Sequence, residues 1–309
     1  MKINKHRFET PILFITFNKK DTTKTVLKKI LKINPKHLII ASDGPRNKKE
    51  EEVIKNLRSY FDNTINGDFI KIYSESNKGC KEGVRHAISK SFELFDELII
   101  VEDDILPSKK FFKFSEKMLH MYKDEKQVNL ISGYNYLIKS KTNLEFYFSK
   151  YSLIWGWATW KDRWEENSSL NEETLNYFIE SKADKVFGEN DEKLYFLKHF
   201  RDVVNHNLDS WAFGVTFSNF FNNKLTIVPK YNLTRNLGLG HKSATHTKSK
   251  LSFKIVTLNV SLSIFQKLDV SFQNPFVSEV NDEKYRNKII LKNTLYNRLS
   301  YFLFKKIYK

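Results

Sequence analysis

The stretch DELIIVEDDILPSKKFFKF, Asp96–Phe114, decides how the rest of the chain is read. Four aliphatic residues, Leu98–Val101, run directly into three carboxylates, Glu102, Asp103 and Asp104. A short unbroken apolar run ending in polar residues is the pattern of a strand buried on both faces. Three adjacent carboxylates at its end repel one another and risk losing hydration, so they need solvent, a cationic side chain or a metal ion as partner. A plainer reading is an exposed acidic turn in which Asp103 or Asp104 caps the following helix. Both readings stand at this point.

The preceding hundred residues set the context. PILFITF (Pro11–Phe17), HLIIASDG (His37–Gly44) and DFIKIYSES (Asp68–Ser76) read as strands. KTVLKKILKI (Lys24–Ile33) places Val26, Leu27, Ile30, Leu31 and Ile33 at helical spacing, and Lys49–Phe61 and Cys80–Phe95 follow the same pattern. Strand, helix, strand at this spacing predicts βαβ units and a mainly parallel, Rossmann-like sheet flanked by helices. Further on, Phe111–Tyr122 reads as a helix and Gln127–Tyr136 as a strand. The aromatic block YSLIWGWATWKDRWEE (Tyr151–Glu166) and a helical region, Glu172–Phe221, follow. Lys224–Thr247 reads as a strand and a polar loop. With no repeat and no flexible linker, one unit of two packed halves is expected up to about residue 250.

In a parallel sheet, ligands sit at the carboxyl ends of the strands. Three strands deliver polar residues there: Asn18-Lys19, Ser42-Asp43-Gly44 and Glu102-Asp103-Asp104. They are expected to converge on one crevice. Grouped carboxylates on a rigid strand end suit a hard divalent cation such as Mg²⁺ or Mn²⁺.

Composition narrows the class. The chain has 309 residues, 40% hydrophobic and 15% aromatic, with 26 Phe, enough for a large core. Cys80 is the single cysteine, so no intrachain disulfide forms, which fits a reducing cytoplasm. The apolar run Pro11–Phe17 is short for a signal peptide, and no run approaches the ~18–20 residues of a membrane span. A soluble cytoplasmic protein, or one peripheral on the inner face of the cytoplasmic membrane, is expected. The net charge of +16 fits either a lysine-rich solvated surface or a polyanionic partner. Eight Lys and Arg and no acid fall in Lys284–Lys309. With its apolar residues near helical spacing, this tail reads as a basic amphipathic helix, lying on an anionic membrane surface or docked on the protein's own core.

The segments Pro11–Leu31, Ile39–Pro45, Gly83–Phe95 and Ile99–Phe114 together resemble the GT-A nucleotide-sugar glycosyltransferases, most of all the N-acetylglucosaminyltransferase I type and its bacterial relatives. The resemblance spans roughly Thr10–Thr247. It implies a glycosyltransferase domain at 1–250, with a donor-binding half at about 10–106 and an acceptor and catalytic half at about 107–250, followed by an extension at 251–309. It implies Asp104 as the direct metal ligand, with Glu102 and Asp103 lining the donor site and Asp43 at the uracil base. Lys19 falls where the family has an arginine, without that residue's bidentate fork. Arg235 and His246 fall in the loop that closes over the diphosphate, with His246 also near the metal. The Gly-Trp block resembles the segment between donor and acceptor sites, although Trp155, Trp157, Trp160 and Trp164 are expected to be mostly core. HNLDSWAFGVTFSNFF (His206–Phe221) matches the place of the catalytic aspartate, here Asp209. Capping its own helix is the structural alternative for Asp209, and Glu165, Glu166 and Asp191 are second choices as base.

The implied activity is inverting transfer from a nucleotide-sugar, a UDP-sugar by resemblance, to a hydroxyl of a glycan or lipid-linked glycan acceptor in surface polysaccharide or glycoconjugate synthesis. Unlike the animal enzymes of that family, this chain is expected to have no N-terminal anchor and, with one cysteine, no disulfide. Two other readings compete. A nucleotidyltransferase would carry a glycine-rich loop after the first strand, and Thr16–Lys24 has no glycine. A nucleic-acid-binding protein would need a recognisable module, and none is found, so no nucleic-acid partner is expected.

Overall fold

The computed structural model describes residues 7–137, 142–238 and 271–287. Its first half follows the apolar periodicity closely: β1 (Ile12–Thr16), α1 (Lys20–Leu31), β2 (Leu38–Ser42), α2 (Lys48–Thr64), β3 (Ile70–Tyr73), α3 (Gly79–Phe92) and β4 (Glu97–Glu102). β1 pairs in parallel with β2 and β4, and β2 with β3. Successive strand residues point to opposite faces. Ile12, Phe14, Ile99 and Val101 therefore pack in one core with α1 and α2, while Leu13, Leu98 and Ile100 pack in a second core against α3. Both faces are covered, which is why these strands carry no polar alternation.

The second half extends the same sheet. β5 (Ile105–Pro107), α4 (Lys109–Met121), β6 (Val128–Ser132), β7 (Phe146–Ser149) and β8 (Trp157–Trp160) come first. α5 (Lys161–Glu165), α6 (Glu172–Ser181), α7 (Ala183–Val186), α8 (Asn190–Val204), α9 (Trp211–Phe221), β9 (Leu225–Pro229), β10 (Thr234–Asn236) and α10 (Glu279–Tyr285) complete the described elements. The eight-stranded order is β3-β2-β1-β4-β8-β6-β9-β7. β8 inserts antiparallel between β4 and β6, and β7 closes the far edge antiparallel to β9. The fold is thus a mixed, mainly parallel α/β sheet flanked by helices. β10 and β5 form a separate two-stranded ribbon, with Asn236 opposite Ile105 and Arg235 opposite Leu106.

Residues 271–287 are tied to this body. Val277 bridges Phe148 of β7, and Gln273 exchanges hydrogen bonds with the Tyr122 hydroxyl through its amide N–H and its carbonyl. The expected boundary at residue 250 and most of the basic tail, from residue 288 onward, lie outside the described residues. Among the described residues, no helix is long and apolar enough to cross a membrane.

Candidate functional site

The carboxyl ends of β1, β2 and β4 are in register, with Thr16 opposite Ser42 and Ile15 opposite Glu102. The chain turns away from the sheet at each end and leaves a cleft of about 460 Å³. Asn18 and Lys19 after β1, Asp43 after β2, and Glu102 and Asp103 at the end of β4 line it as expected, and Asp209 joins them from the far half of the chain. Asp104 lies beside them, paired to Lys19.

Alternation along β4 separates the three acids. Ile100 faces the α3 core, and Glu102 shares that face, whereas Asp103 turns towards β1. Asp103 Oδ2 accepts the Phe17 N–H at 3.0 Å. The Lys19 ammonium bridges Asp103 Oδ1 at 3.2 Å and Asp104 Oδ2 at 2.8 Å. Burial pushes the Glu102 carboxyl well above the usual range, and the neighbouring Asp104 charge adds to it. Burial raises Asp103 as well, less so because Lys19 stands beside it. Burial works against the Lys19 charge, but Asp103 and Asp104 outweigh it and hold the ammonium firmly protonated.

The amino end of α3 faces the cleft, and two carboxylates are aimed at it. Asp43 Oδ1 accepts N–H groups from Gly44 at 2.8 Å and Lys78 at 3.0 Å, and Oδ2 accepts the Asn77 amide at 2.9 Å. Asp209 Oδ2 accepts the Cys80 N–H at 2.7 Å and Oδ1 the Lys81 N–H at 2.8 Å. A helix N-terminus favours negative charge and offers unpaired N–H groups, so both aspartates are well held. Gly79 permits this approach: its φ is +80°, and a Cβ there would stand 3.0 Å from Asp209 Oδ2.

This corrects the capping alternative for Asp209. It caps α3 across 129 residues of sequence rather than its own helix, α9, which Ser210 precedes without a side-chain cap. Each Asp209 oxygen accepts one N–H and retains a second acceptor position. Asp209 is exposed to the cleft, so it remains available to a bound hydroxyl. Cys80 also lines the cleft, but burial, with Glu102 and Asp209 close by, pushes its thiol up to about 12 and keeps it protonated at neutral pH.

Other expected residues separate. β8 runs antiparallel to β4, so Trp160 pairs with Glu97 at the amino end of that strand. α5 follows there, and Glu165 and Glu166 lie at the sheet edge opposite the cleft; Glu166 pairs instead with Lys224 at 3.1 Å. They are excluded as bases in this site. Asp191, in the first turn of α8, is not among the residues lining the cleft. Arg235 lies half-buried on β10, whose exit returns to the acidic turn through the Leu237 N–H bond to the Asp104 carbonyl at 2.7 Å. His246 lies outside the described residues.

Of the four tryptophans, Trp157, Trp160 and Trp164 are buried. Trp155 is half-buried, 4.5 Å from the Tyr134 ring, and lies beyond Trp157, which pairs with Ile100. It therefore stands at the same sheet edge as Glu102.

Three residues escaped the sequence reading. Arg46 pairs with Glu50 and sits 5.0 Å over the Phe17 ring at the cleft, while Glu50 also receives the Asn18 amide at 2.9 Å. Asn77 holds Asp43, and Arg58 ties Ser42 to Ser74 through their carbonyls at 2.9 and 2.8 Å. Arg46 follows the Asp43-Gly44-Pro45 turn, a position the strand-end rule reaches; Arg58 is mid-helix and gives no such signal.

Among the described residues, no group of three or more His, Cys, Asp or Glu side chains forms a ready metal cage. No family model matches the chain, and no curated protein matches it. Among solved structures it is similar to a mannosyltransferase, PcManGT from Pyrobaculum calidifontis in complex with GDP-Man and Mn²⁺, at 10% identity over 70% of each chain with a TM-score of 0.35. It is also similar to the 4-diphosphocytidyl-2C-methyl-D-erythritol synthase of Anaerococcus prevotii, at 9% identity over 70% of this chain and 97% of that one, with a TM-score of 0.26. Similarities this low assign neither family nor activity.

Proposed function

We propose that the chain is a nucleotide-sugar-dependent glycosyltransferase that uses Asp209 as general base in an inverting displacement. The observation that carries this reading is the convergence of Lys19, the β4 acids and Asp209 on one cleft at the carboxyl edge of a parallel sheet. A UDP-sugar donor, in the half at about 10–106, rests on the sequence resemblance. So does a glycan or lipid-linked glycan acceptor, in the half at about 107–250.

Each residue has a task in this reading. Phe17 and Arg46 present a flat face for a base, with Asp43 and Asn77 behind it. Asp209, fixed by two N–H groups, takes the proton of the acceptor hydroxyl as it attacks. Trp155, next to that edge, offers a ring to the acceptor sugar. Arg235 and His246 belong to the segment expected to close over the diphosphate.

Charge bears on the metal. Even with Glu102 kept protonated by burial, Asp43, Asp103, Asp104 and Asp209 outnumber Lys19 and Arg46 around the cleft, and a diphosphate adds more negative charge. The acids at the cleft offer oxygen donors, which suit Mg²⁺ or Mn²⁺. The residues fit such an ion, with Asp104 as the carboxylate to hold it and His246 as a further proposed ligand. When bound, the ion supplies positive charge to the departing diphosphate. The tail Lys284–Lys309, past Tyr285 and Arg286, which pack on the body, is the proposed contact with an anionic membrane surface on the cytoplasmic side.

Calorimetry with UDP and GDP, each with and without Mn²⁺, tests the reading. Metal-dependent binding of a nucleotide is expected in the wild type and lost in Asp104→Ala, with the melting temperature little changed. Nucleotide binding that ignores Mn²⁺, or survives Asp104→Ala, overturns it.

A further inference from the structure

Lys19 stands where local rules do not favour it. It occupies the N-cap of α1, its side chain makes no cap, and its carbonyl accepts Thr23 N–H at 3.0 Å. Ser, Thr, Asp or Asn is usual there, and a cation at a helix N-terminus meets the positive end of the dipole. A residue that breaks a local rule without local gain points to a role elsewhere. Here the gain is the pairing with Asp103 and Asp104.

Among the described residues, that pairing is the sole one for two oxygens. Asp103 Oδ2 is held by the Phe17 N–H, but Asp103 Oδ1 and Asp104 Oδ2 have no hydrogen-bond donor among the described residues except the Lys19 ammonium. If the ammonium leaves, both oxygens are uncovered together and face the space it occupied. The backbone of α1 fixes only the root of this side chain. Its four methylenes and partial exposure let the ammonium swing into the cleft. Gly238 limits other solutions: a Cβ there would stand 2.3 Å from Asp104 Oδ2, so this oxygen is closely hemmed on its remaining side.

We propose that Lys19 is the resident cation of the cleft, and that a divalent ion enters by displacing its ammonium from Asp103 Oδ1 and Asp104 Oδ2. Lysine and metal then compete for the same two oxygens. The released ammonium stays in the cleft, where an anionic substrate arrives. This deepens the glycosyltransferase reading, on which it rests only for the expectation that a divalent ion binds.

The test titrates the full chain with Mn²⁺ alone and reads free Mn²⁺ by electron paramagnetic resonance, with no nucleotide present. Lys19→Met keeps the stem and removes the charge, and is expected to bind Mn²⁺ roughly tenfold more tightly than wild type. Adding Asp104→Asn to Lys19→Met is expected to cancel the gain. Lys19→Arg, whose fork can grip both carboxylates, is expected to bind Mn²⁺ several-fold more weakly than wild type. Melting temperatures establish that each variant is folded. Should Lys19→Met not fold, the Lys19→Arg arm decides alone, and unchanged affinity there overturns the proposal. Equal or weaker Mn²⁺ binding by folded Lys19→Met also overturns it. Failure to bind any nucleotide, with the Mn²⁺ results as expected, removes the glycosyltransferase reading and leaves the competition standing.

Discussion

Two groups of acids and amines in this molecule use the same chemistry for different ends. At the cleft, three consecutive acids meet one ammonium: burial keeps Glu102 protonated, and the Asp103 and Asp104 carboxylates share Lys19 beside the cleft, leaving negative charge in excess. Beyond β7, two carboxylates meet two cations in a charge-balanced cluster, in which Glu192 Oε2 and Arg286 Nε have no hydrogen-bond partner among the described residues. Glu192, with no exposed surface, accepts the Tyr151 hydroxyl at 2.7 Å and forms ion pairs with the Lys150 ammonium at 2.8 Å and Arg286 at 4.0 Å. Asp282 accepts the Ser149 hydroxyl at 2.6 Å and the Lys150 N–H at 3.0 Å. This second group fastens α10 to β7 and α8. A charge-balanced set locks elements together; an unbalanced one at a strand end remains receptive to a cation.

The sharpest way to break this contrast is Asp209→Asn. Positioned general-base catalysis is typically worth about 10²–10⁴-fold in rate, and turnover is expected to fall by that order. Asn offers one acceptor oxygen to the two N–H groups of Cys80 and Lys81, so α3 also loses part of its cap, at about 1 kcal/mol. Steady-state kinetics beside thermal unfolding separates the two effects. Near-normal turnover with a lowered melting temperature would leave Asp209 as a cap alone.

Glu192→Ala reverses the pattern. Removing Glu192 leaves Lys150 and Arg286 with Asp282 as the cluster's one remaining carboxylate, and a loss of up to ~3–5 kcal/mol in stability is expected. Denaturant unfolding measures it. Nucleotide affinity of the folded fraction should not change. A large affinity loss at the cleft would show that the lock and the cleft are one cooperative unit.

Proton linkage at Asp282 is the smallest effect. Burial raises its carboxyl from the ordinary 3.8 to about 6, against the pull of Ser149 and Lys150. A raised folded value means that folding holds a proton which the unfolded chain has already released. Its contribution is therefore greatest below about pH 4 and is lost as pH rises to about 6. Asp282→Asn carries no such dependence. Relative to wild type, the variant is expected to gain roughly 1–2 kcal/mol between those pH values, read from paired unfolding curves. Parallel curves would mean that Asp282 ionises as freely in the fold as out of it.

Much of the cleft was legible because each part announces itself within a few residues. β1, β2 and β4 carry unbroken apolar runs, and the strand-end rule then points to Lys19, Asp43 and Glu102–Asp104. Asp209 was reached through resemblance, and its place in the cleft agrees, but the helix it caps did not. Capping by the next helix is the local guess; α3 lies 129 residues away. The antiparallel β8 was hidden inside an aromatic block because both of its faces are buried and it shows no alternation. The placement of Glu165 and Glu166 depended on that reversal, so the sequence carried no warning that they lie at the wrong edge.

The chain by itself determined its helices and parallel strands, since side-chain periodicity is a local property that burial on one or two faces imposes. It also determined which acids would stand at the carboxyl edge. The tertiary structure alone decided the partners: Lys19 between Asp103 and Asp104, Asp209 on the amino end of α3, Glu192 with Lys150 and Arg286. Those contacts join residues from 42 to 129 positions apart, and their energies depend on what else is excluded from the same space. No window of sequence encodes that exclusion; it appears only when the sheet closes and water is removed.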